Sequence, residues 1–305
     1  MNANDESQCD YVCSRGLLKS CDIKSTIPIS SITQLVHYDW SALKDGCTIY
    51  VCNRAMIHFS SILSRINCKF ILVSGDCDVC CPTEQFQNQL EFTEFIRSDK
   101  IIHWFSQNLV IDHPKMTKMP IGLDYHTMTS QNHWGPITTT IEQESILKTI
   151  QKNASPFFER IPKCYSNFHF FTKSKYGYDR VAAQKQIPSS DIFYESTNLE
   201  RSKTWENQSK YAFVVSPHGN GLDCHRTWEA LCLGNIVIVK TSALDSLYDG
   251  LPVYIVNEWS DIHYELLQTI LKDYRIKYEN GEFQMEKLTL QYWVSKIRSY
   301  GNMSV

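Results

Sequence analysis

Short apolar runs alternate with amphipathic stretches along most of the chain. Residues 48–52 (TIYVC) and 69–73 (KFILV) are apolar runs of strand length, and residues 56–66 between them carry apolar side chains at helical spacing. Strand, helix, strand is the unit of a parallel sheet. An amphipathic helix over 84–97 and a strand over 101–105 continue the alternation, and a strand end lies near 118–120. The second half repeats the pattern: a strand over 167–172 (NFHFFT), a helix over 178–186, a strand over 192–194 and a helix over 199–209. A strand over 212–215 then leads through a polar loop to a helix closed by Gly234, and a further strand covers 236–239. Helices follow at 262–274 and within 286–300. The helix-like stretch 141–152 belongs to the crossing between the halves, and residues 1–30 read as an irregular arm without chemistry. The pattern predicts an α/β protein of two lobes, an N-terminal one over 1–160 and a C-terminal one over 161–285.

Composition narrows the function classes. With 43% hydrophobic and 21% charged residues in 305, the chain is that of an ordinary globular protein. A net charge of -3 speaks against a nucleic-acid binder. No apolar stretch reaches the length of a membrane span. The polar, acidic start MNANDESQCD does not have the form of a signal peptide. In that setting the twelve cysteines read as reduced thiols, many of them buried. Cys77, Cys80 and Cys81 form a C-x-x-C-C cluster without the second pair that a closed zinc site wants, and Cys9, Cys13 and Cys21 have no zinc spacing.

The stretch richest in chemistry is 211–240. Its loop holds Ser216, His218, Gly219, Asn220, Gly221 and Asp223 between a strand and a helix start. Glycines there let backbone N–H groups approach a phosphate, and the helix start adds unpaired N–H groups and a positive dipole end. Arg226 stands in the first helical turn, where the dipole disfavours a cation, so an anionic ligand is one reason for it. Glu229, three residues on, shares its face. An Arg to hold a diphosphate and a Glu to accept ribose hydroxyls is what a sugar nucleotide needs; spacing equally allows an i, i+3 salt bridge on a surface helix. Neither GxxxxGK[ST] nor GxGxxG is present, which disfavours ATPase and dehydrogenase readings.

Other candidates lie at predicted strand ends, where parallel sheets carry ligands. Asp76 and Asp78 follow the 69–73 strand; either could act as a general base, with Asp78 nearer the loop tip, and turn capping is the alternative. Asp124, Tyr125 and His126 form a second polar group that could meet a sugar, with His126 a further candidate base. Tyr125 and Trp134 could stack on sugar, with core packing as the default. Arg180, beyond the basic turn 173–177, could hold phosphates from the other side, and 195–198 could meet a nucleobase.

The run SPHGNGLDCHRTWEALCLGNIVIV (216–239), followed by TSALDSLYDGLPVYIV (241–256), resembles the donor-binding half of exostosin-like glycosyltransferases, above all the compact, anchor-free versions carried by large algal viruses. In that family a glycine-containing loop, an "R-x-x-E-A-L" run and a "G-x-I-P-I-V" strand bind the nucleotide sugar. Arg226, Glu229, Ala230 and Leu231 match as they stand, and Val237 replaces the usual proline. The run PIGLDYH (120–126) also resembles the viral members, where such a loop faces the cleft. The resemblance implies two Rossmann-like lobes facing a cleft (GT-B type), with a C-terminal helix over 286–305 packing back on the first lobe. It implies inverting transfer from a UDP-sugar to a glycan or glycoprotein acceptor in the cytoplasm, in its sharpest form xylose from UDP-xylose onto a fucose of a viral capsid N-glycan. No cofactor beyond the donor is expected, and no metal, because Arg226, Arg180 and the loop N–H groups would stabilise the leaving diphosphate. Asp76-Cys77-Asp78 is formally a D-x-D, but it stands in the half without the phosphate loop. The alternative is a non-catalytic nucleotide-sugar or carbohydrate-binding module of the same fold.

Overall fold

The computed structural model of the chain describes residues 3–168 and 173–302. The first lobe comprises α1 (Ser14–Ser20), β1 (Cys47–Cys52), α2 (Met56–Ile62), β2 (Phe70–Gly75), α3 (Gln89–Arg97), β3 (Ile101–Ser106) and β4 (Met116–Lys118). Helix α4 (Thr140–Asn153) follows. The second lobe holds β5 (Ile161–Ser166), α5 (Gly177–Gln186), β6 (Ile192–Tyr194), α6 (Arg201–Gln208), β7 (Tyr211–Val215), α7 (His225–Cys232), β8 (Ile236–Lys240), β9 (Val253–Val256) and α8 (Tyr264–Glu279). Helix α9 (Leu290–Asn302) returns to the first sheet and lies against β2 and β3. Both sheets are wholly parallel, one of four strands and one of five, an α/β architecture compatible with two Rossmann-like lobes.

The two sheets are wound differently. The first runs β1-β2-β3-β4, always stepping the same way. The second runs β6-β5-β7-β8-β9: the chain steps outward from β5 to β6, then crosses back to β7 on the other side. The connections leaving β5 and β7 therefore diverge, and a crevice opens beyond their carboxyl ends.

Strand alternation assigns each sheet two faces. In β2, Phe70 and Leu72 join an outer core with Phe59, Phe95 and Trp104, whereas Ile71 and Val73 point inward. In β8, Ile236 and Ile238 join the second lobe's outer core, whereas Val237 and Val239 point inward. The inward sets share one core with Trp293 and Ile297 of α9 and with Trp228 and Leu231 of α7. One apolar layer thus holds the lobes together.

Three expectations need correction. Residues 1–30 are not an irregular arm: Leu17 and Leu18 of α1 are buried in the shared core beside Cys13 and Leu290, the cysteines serving as small apolar side chains. The strand opening the second lobe is Ile161–Ser166 rather than 167–172; its first three residues are exposed, which hid it behind the aromatic run that follows. Residues 169–172 of that run lie outside the described residues. Helix α3 starts at Gln89 rather than 84, because the Asn88 side chain accepts from Leu90 N and Glu91 N and caps it there. The twelve cysteines are all unpaired, and ten of them are buried. No helix among the described residues is long and apolar enough to cross a membrane.

Candidate functional site

The β5/β7 crevice forms one wall of a cavity of about 660 Å³ between the lobes. The sequence builds this wall locally. After β7 the chain turns through Gly219 and Gly221 before α7 begins. A Cβ on Gly219 would sit 2.6 Å from Arg180 Nη2, and one on Gly221 would sit 3.0 Å from both Asn108 Nδ2 and Asp78 O. The missing side chain at Gly221 lets the loop lie close to the first lobe. The N-cap of α7 is Cys224, which makes no side-chain cap, so the positive end of the helix is left to another partner.

Arg226 projects from the first turn of α7 into the cavity wall. Its guanidinium lies 5.4 Å above the Phe168 ring, and Nη1 donates to Pro217 O at 3.2 Å. It makes no ion pair among the described residues. Burial, with Arg180 beside it, pushes its pKa down to about 10. Arg180 also lines the cavity and donates through Nε to His218 O at 3.2 Å. Two neighbouring guanidinium groups make a field suited to an anion. At the end of β5, Ser166 Oγ and Asn167 Oδ1 are buried without a hydrogen-bond partner among the described residues, and Asn167 lines the same cavity. Orphaned polar atoms at a cavity wall are natural contacts for a ligand.

Glu229 lines the cavity but does not pair with Arg226. Its Oε1 accepts from Arg201 Nε at 3.1 Å and from Arg201 Nη2, leaving Oε2 without a partner among the described residues. Arg201 is 7% exposed, and its guanidinium lies over the rings of Trp134 and Trp205, at 5.7 Å and 4.8 Å. It also donates to Asp124 O and, at 3.1 Å, to Gln143 Oε1. One guanidinium thus ties α6, α7 and the first lobe together beside the cavity.

Asp223 faces inward. It accepts from Ile121 N (2.8 Å), Cys224 N (2.9 Å) and Trp228 Nε1 (2.9 Å), and its own N–H donates to Asn108 Oδ1 at 2.9 Å. Burial pushes its carboxyl up to about 6 against the pull of these donors. Although it borders the cavity, its hydrogen bonds join the lobes. Asn220 completes the loop's contribution to the wall.

The first lobe contributes Asp78 and Asp124. Asp78 is exposed at the mouth, its backbone against Gly221. Asp124 is buried. Burial alone would raise its carboxyl, but the neighbouring His225 and His126 rings and the Arg201 guanidinium, with bonds from Thr127 N (3.0 Å) and Oγ1 (2.7 Å), hold it well below the usual carboxylate range.

Five predicted site residues lie off the cavity wall. Asp76, in a left-handed turn (φ +53°), accepts from Ser30 Oγ at 2.7 Å and lies 3.9 Å from Arg15 Nη2. Burial raises its carboxyl. His126 Nε2 lies 3.5 Å from Ser30 Oγ; its Nδ1 is 3.1 Å from Asp124 Oδ1 but out of line for a hydrogen bond. Burial pushes the His126 imidazole down to about 4. Tyr125 is fully buried, its hydroxyl donating to Glu144 Oε1 at 3.3 Å, so it offers no face to a sugar. Ser216 Oγ pairs with Thr227 Oγ1 at 2.8 Å, and the His218 ring is held by Leu222 O at 2.9 Å.

Sequence reasoning missed Arg201 and His225. Arg201 sits in the polar run RSKTWENQ, which reads as a surface helix. His225 directly precedes Arg226 in the helix start already singled out, and that adjacency was a usable signal. Among the described residues no group of His, Cys, Asp and Glu could hold a metal ion. A second recess, about 480 Å³, is lined in part by Lys118, Lys287 and Lys296, but its cations are engaged. Lys118 pairs with Asp112, Lys287 donates to Leu247 O and Asp249 O, and Lys296 lies over the Trp293 ring. Compared with protein-family models and with curated proteins, the chain matches none.

Proposed function

We propose that the chain is a nucleotide-sugar-dependent glycosyltransferase of GT-B architecture, inverting and without need of a metal. The β7–α7 loop, Arg226 and Arg180 take the donor diphosphate, whose negative charge grows as the sugar leaves. Glu229, oriented by Arg201 through Oε1, turns Oε2 to the ribose hydroxyls. The acceptor enters from the first lobe, past Asp78. The donor to try first is UDP-xylose with a fucose-terminated glycan, the pair implied by the resemblance.

One observation carries this reading: the Arg226 guanidinium, without an ion pair among the described residues, lies at the mouth of the β5/β7 crevice. Calorimetric titration with UDP and a panel of nucleotide sugars tests it, together with assay of UDP released in the presence of the acceptor. Saturable UDP binding with acceptor-dependent release is expected. Binding without release from any donor would leave a carbohydrate- or nucleotide-binding module, and absence of binding would end the proposal.

A further inference from the structure

We propose that His225 is the general base that takes the acceptor proton, an assignment that rests on the transferase reading. One hydrogen bond fixes its tautomer. His225 is the first residue of α7, and its Nδ1 lies 2.7 Å from Gly122 O. A carbonyl oxygen can only accept, so Nδ1 carries the hydrogen. The neutral ring then keeps its lone pair on Nε2. Nε2 has no hydrogen-bond partner among the described residues, and the side chain borders the cavity.

The partner that fixes the ring is itself fixed. Gly122 adopts φ +66°, and a Cβ there would strike Val12 O. The next residue, Leu123, donates its N–H to Val12 O at 2.9 Å. The Gly122 carbonyl therefore has little freedom, and the imidazole inherits its orientation. Asp124, two residues on, holds a negative charge whose field reaches His225. A nearby carboxylate stabilises the imidazolium that proton uptake creates.

The competing acids are placed less well. Asp76 is bound to Ser30 and lies off the cavity wall. Asp78 borders the cavity, but its side chain has no orienting hydrogen bond among the described residues and is exposed to water. A neutral imidazole nitrogen is a stronger proton acceptor than a carboxylate, which suits a general base.

In the step, the acceptor hydroxyl oxygen forms a bond to the anomeric carbon as the bond from that carbon to the β-phosphate oxygen breaks. The bonding pair leaves with the phosphate. The hydroxyl proton passes to His225 Nε2, and the imidazolium later returns it to water.

The test compares His225→Asn with His225→Ala in the full chain. An Asn side-chain amide can still donate to Gly122 O, so the first variant keeps the local fold, and a thermal melt confirms it. Both variants should bind UDP within about threefold of the unsubstituted chain while acceptor-dependent UDP release falls at least about a hundredfold. Added imidazole should restore release by His225→Ala. Transfer by His225→Asn within tenfold of normal, or failure of imidazole to restore His225→Ala, would overturn the assignment. So would loss of UDP binding in step with the rate, which marks a phosphate contact. If the unsubstituted chain neither binds nor releases UDP, the transferase reading itself fails.

Discussion

At the carboxyl edge of the first sheet, the polar side chains around Ser74, Ser106 and Gln107 satisfy one another. Trp104 Nε1 donates to Ser74 Oγ at 2.8 Å, Ser74 Oγ to Ser106 Oγ at 2.9 Å, and Asp76 N to Gln107 Oε1 at 2.9 Å. Gln107 packs against Gly75 so closely that a Cβ there would clash. At the carboxyl edge of the second sheet the opposite holds. Among the described residues Ser166 Oγ and Asn167 Oδ1 are orphaned, and Arg226 has a ring and one carbonyl for company. The contrast follows from winding: a sheet built in one direction can be closed by its own loops, whereas a reversal at β5 leaves a gap. Polar groups left unmatched beside that gap mark where the molecule meets something else.

Arg201 is the closed counterpart of Arg226. Arg201→Ala would strand Glu229 in a buried setting, and breaking such a pair typically costs about 3–5 kcal/mol. Urea unfolding should show a matching fall in midpoint, and a loss below about 1 kcal/mol would mean that Arg201 is not the bolt described here. Arg226→Ala should behave the other way. Donor affinity measured by calorimetry should fall at least about tenfold, from loss of a charge-assisted contact, while the unfolding midpoint holds or rises. Unchanged affinity would remove Arg226 from the site. The gentlest signal is a slope with pH. His126, whose pKa is pushed down to about 4 by burial, binds its proton less tightly in the folded chain than in the unfolded one. Its contribution is intact above the ordinary imidazole range of about 6.5 and is lost as pH falls toward 4, by at most about 1.4 kcal/mol per pH unit. A His126→Gln variant should therefore lose stability less steeply than the unsubstituted chain across that window. Parallel curves would show that the ring is not kept neutral by burial.

The sequence made the second lobe easier to read than the site within it. Short continuous apolar runs and a closing Gly234 (φ +77°) identify β7, α7 and β8, since these elements are buried and locally consistent. The loop between β7 and α7 stood out for the same reason, its glycines being needed for local geometry. What stayed hidden depends on distant partners. Arg201 becomes a buried post only because Trp134, Asp124, Gln143 and Glu229 converge on it from other elements. Asp76 and Asp78 look alike in sequence; Ser30 and Arg15, from the stretch read as an arm, draw one of them off the cleft. Likewise α1 went unread because its burial rests on Leu290 and on cysteines acting as small hydrophobes.

The position of α9 bears on how the protein is made. Ile71, Val73 and Phe105 of the first sheet find their cover in Trp293 and Ile297. A ribosome that has finished the first half must translate the whole second lobe before that cover emerges, leaving a greasy surface in the care of chaperones meanwhile. Chains cut short before residue 290 should be the ones that clump inside a cell.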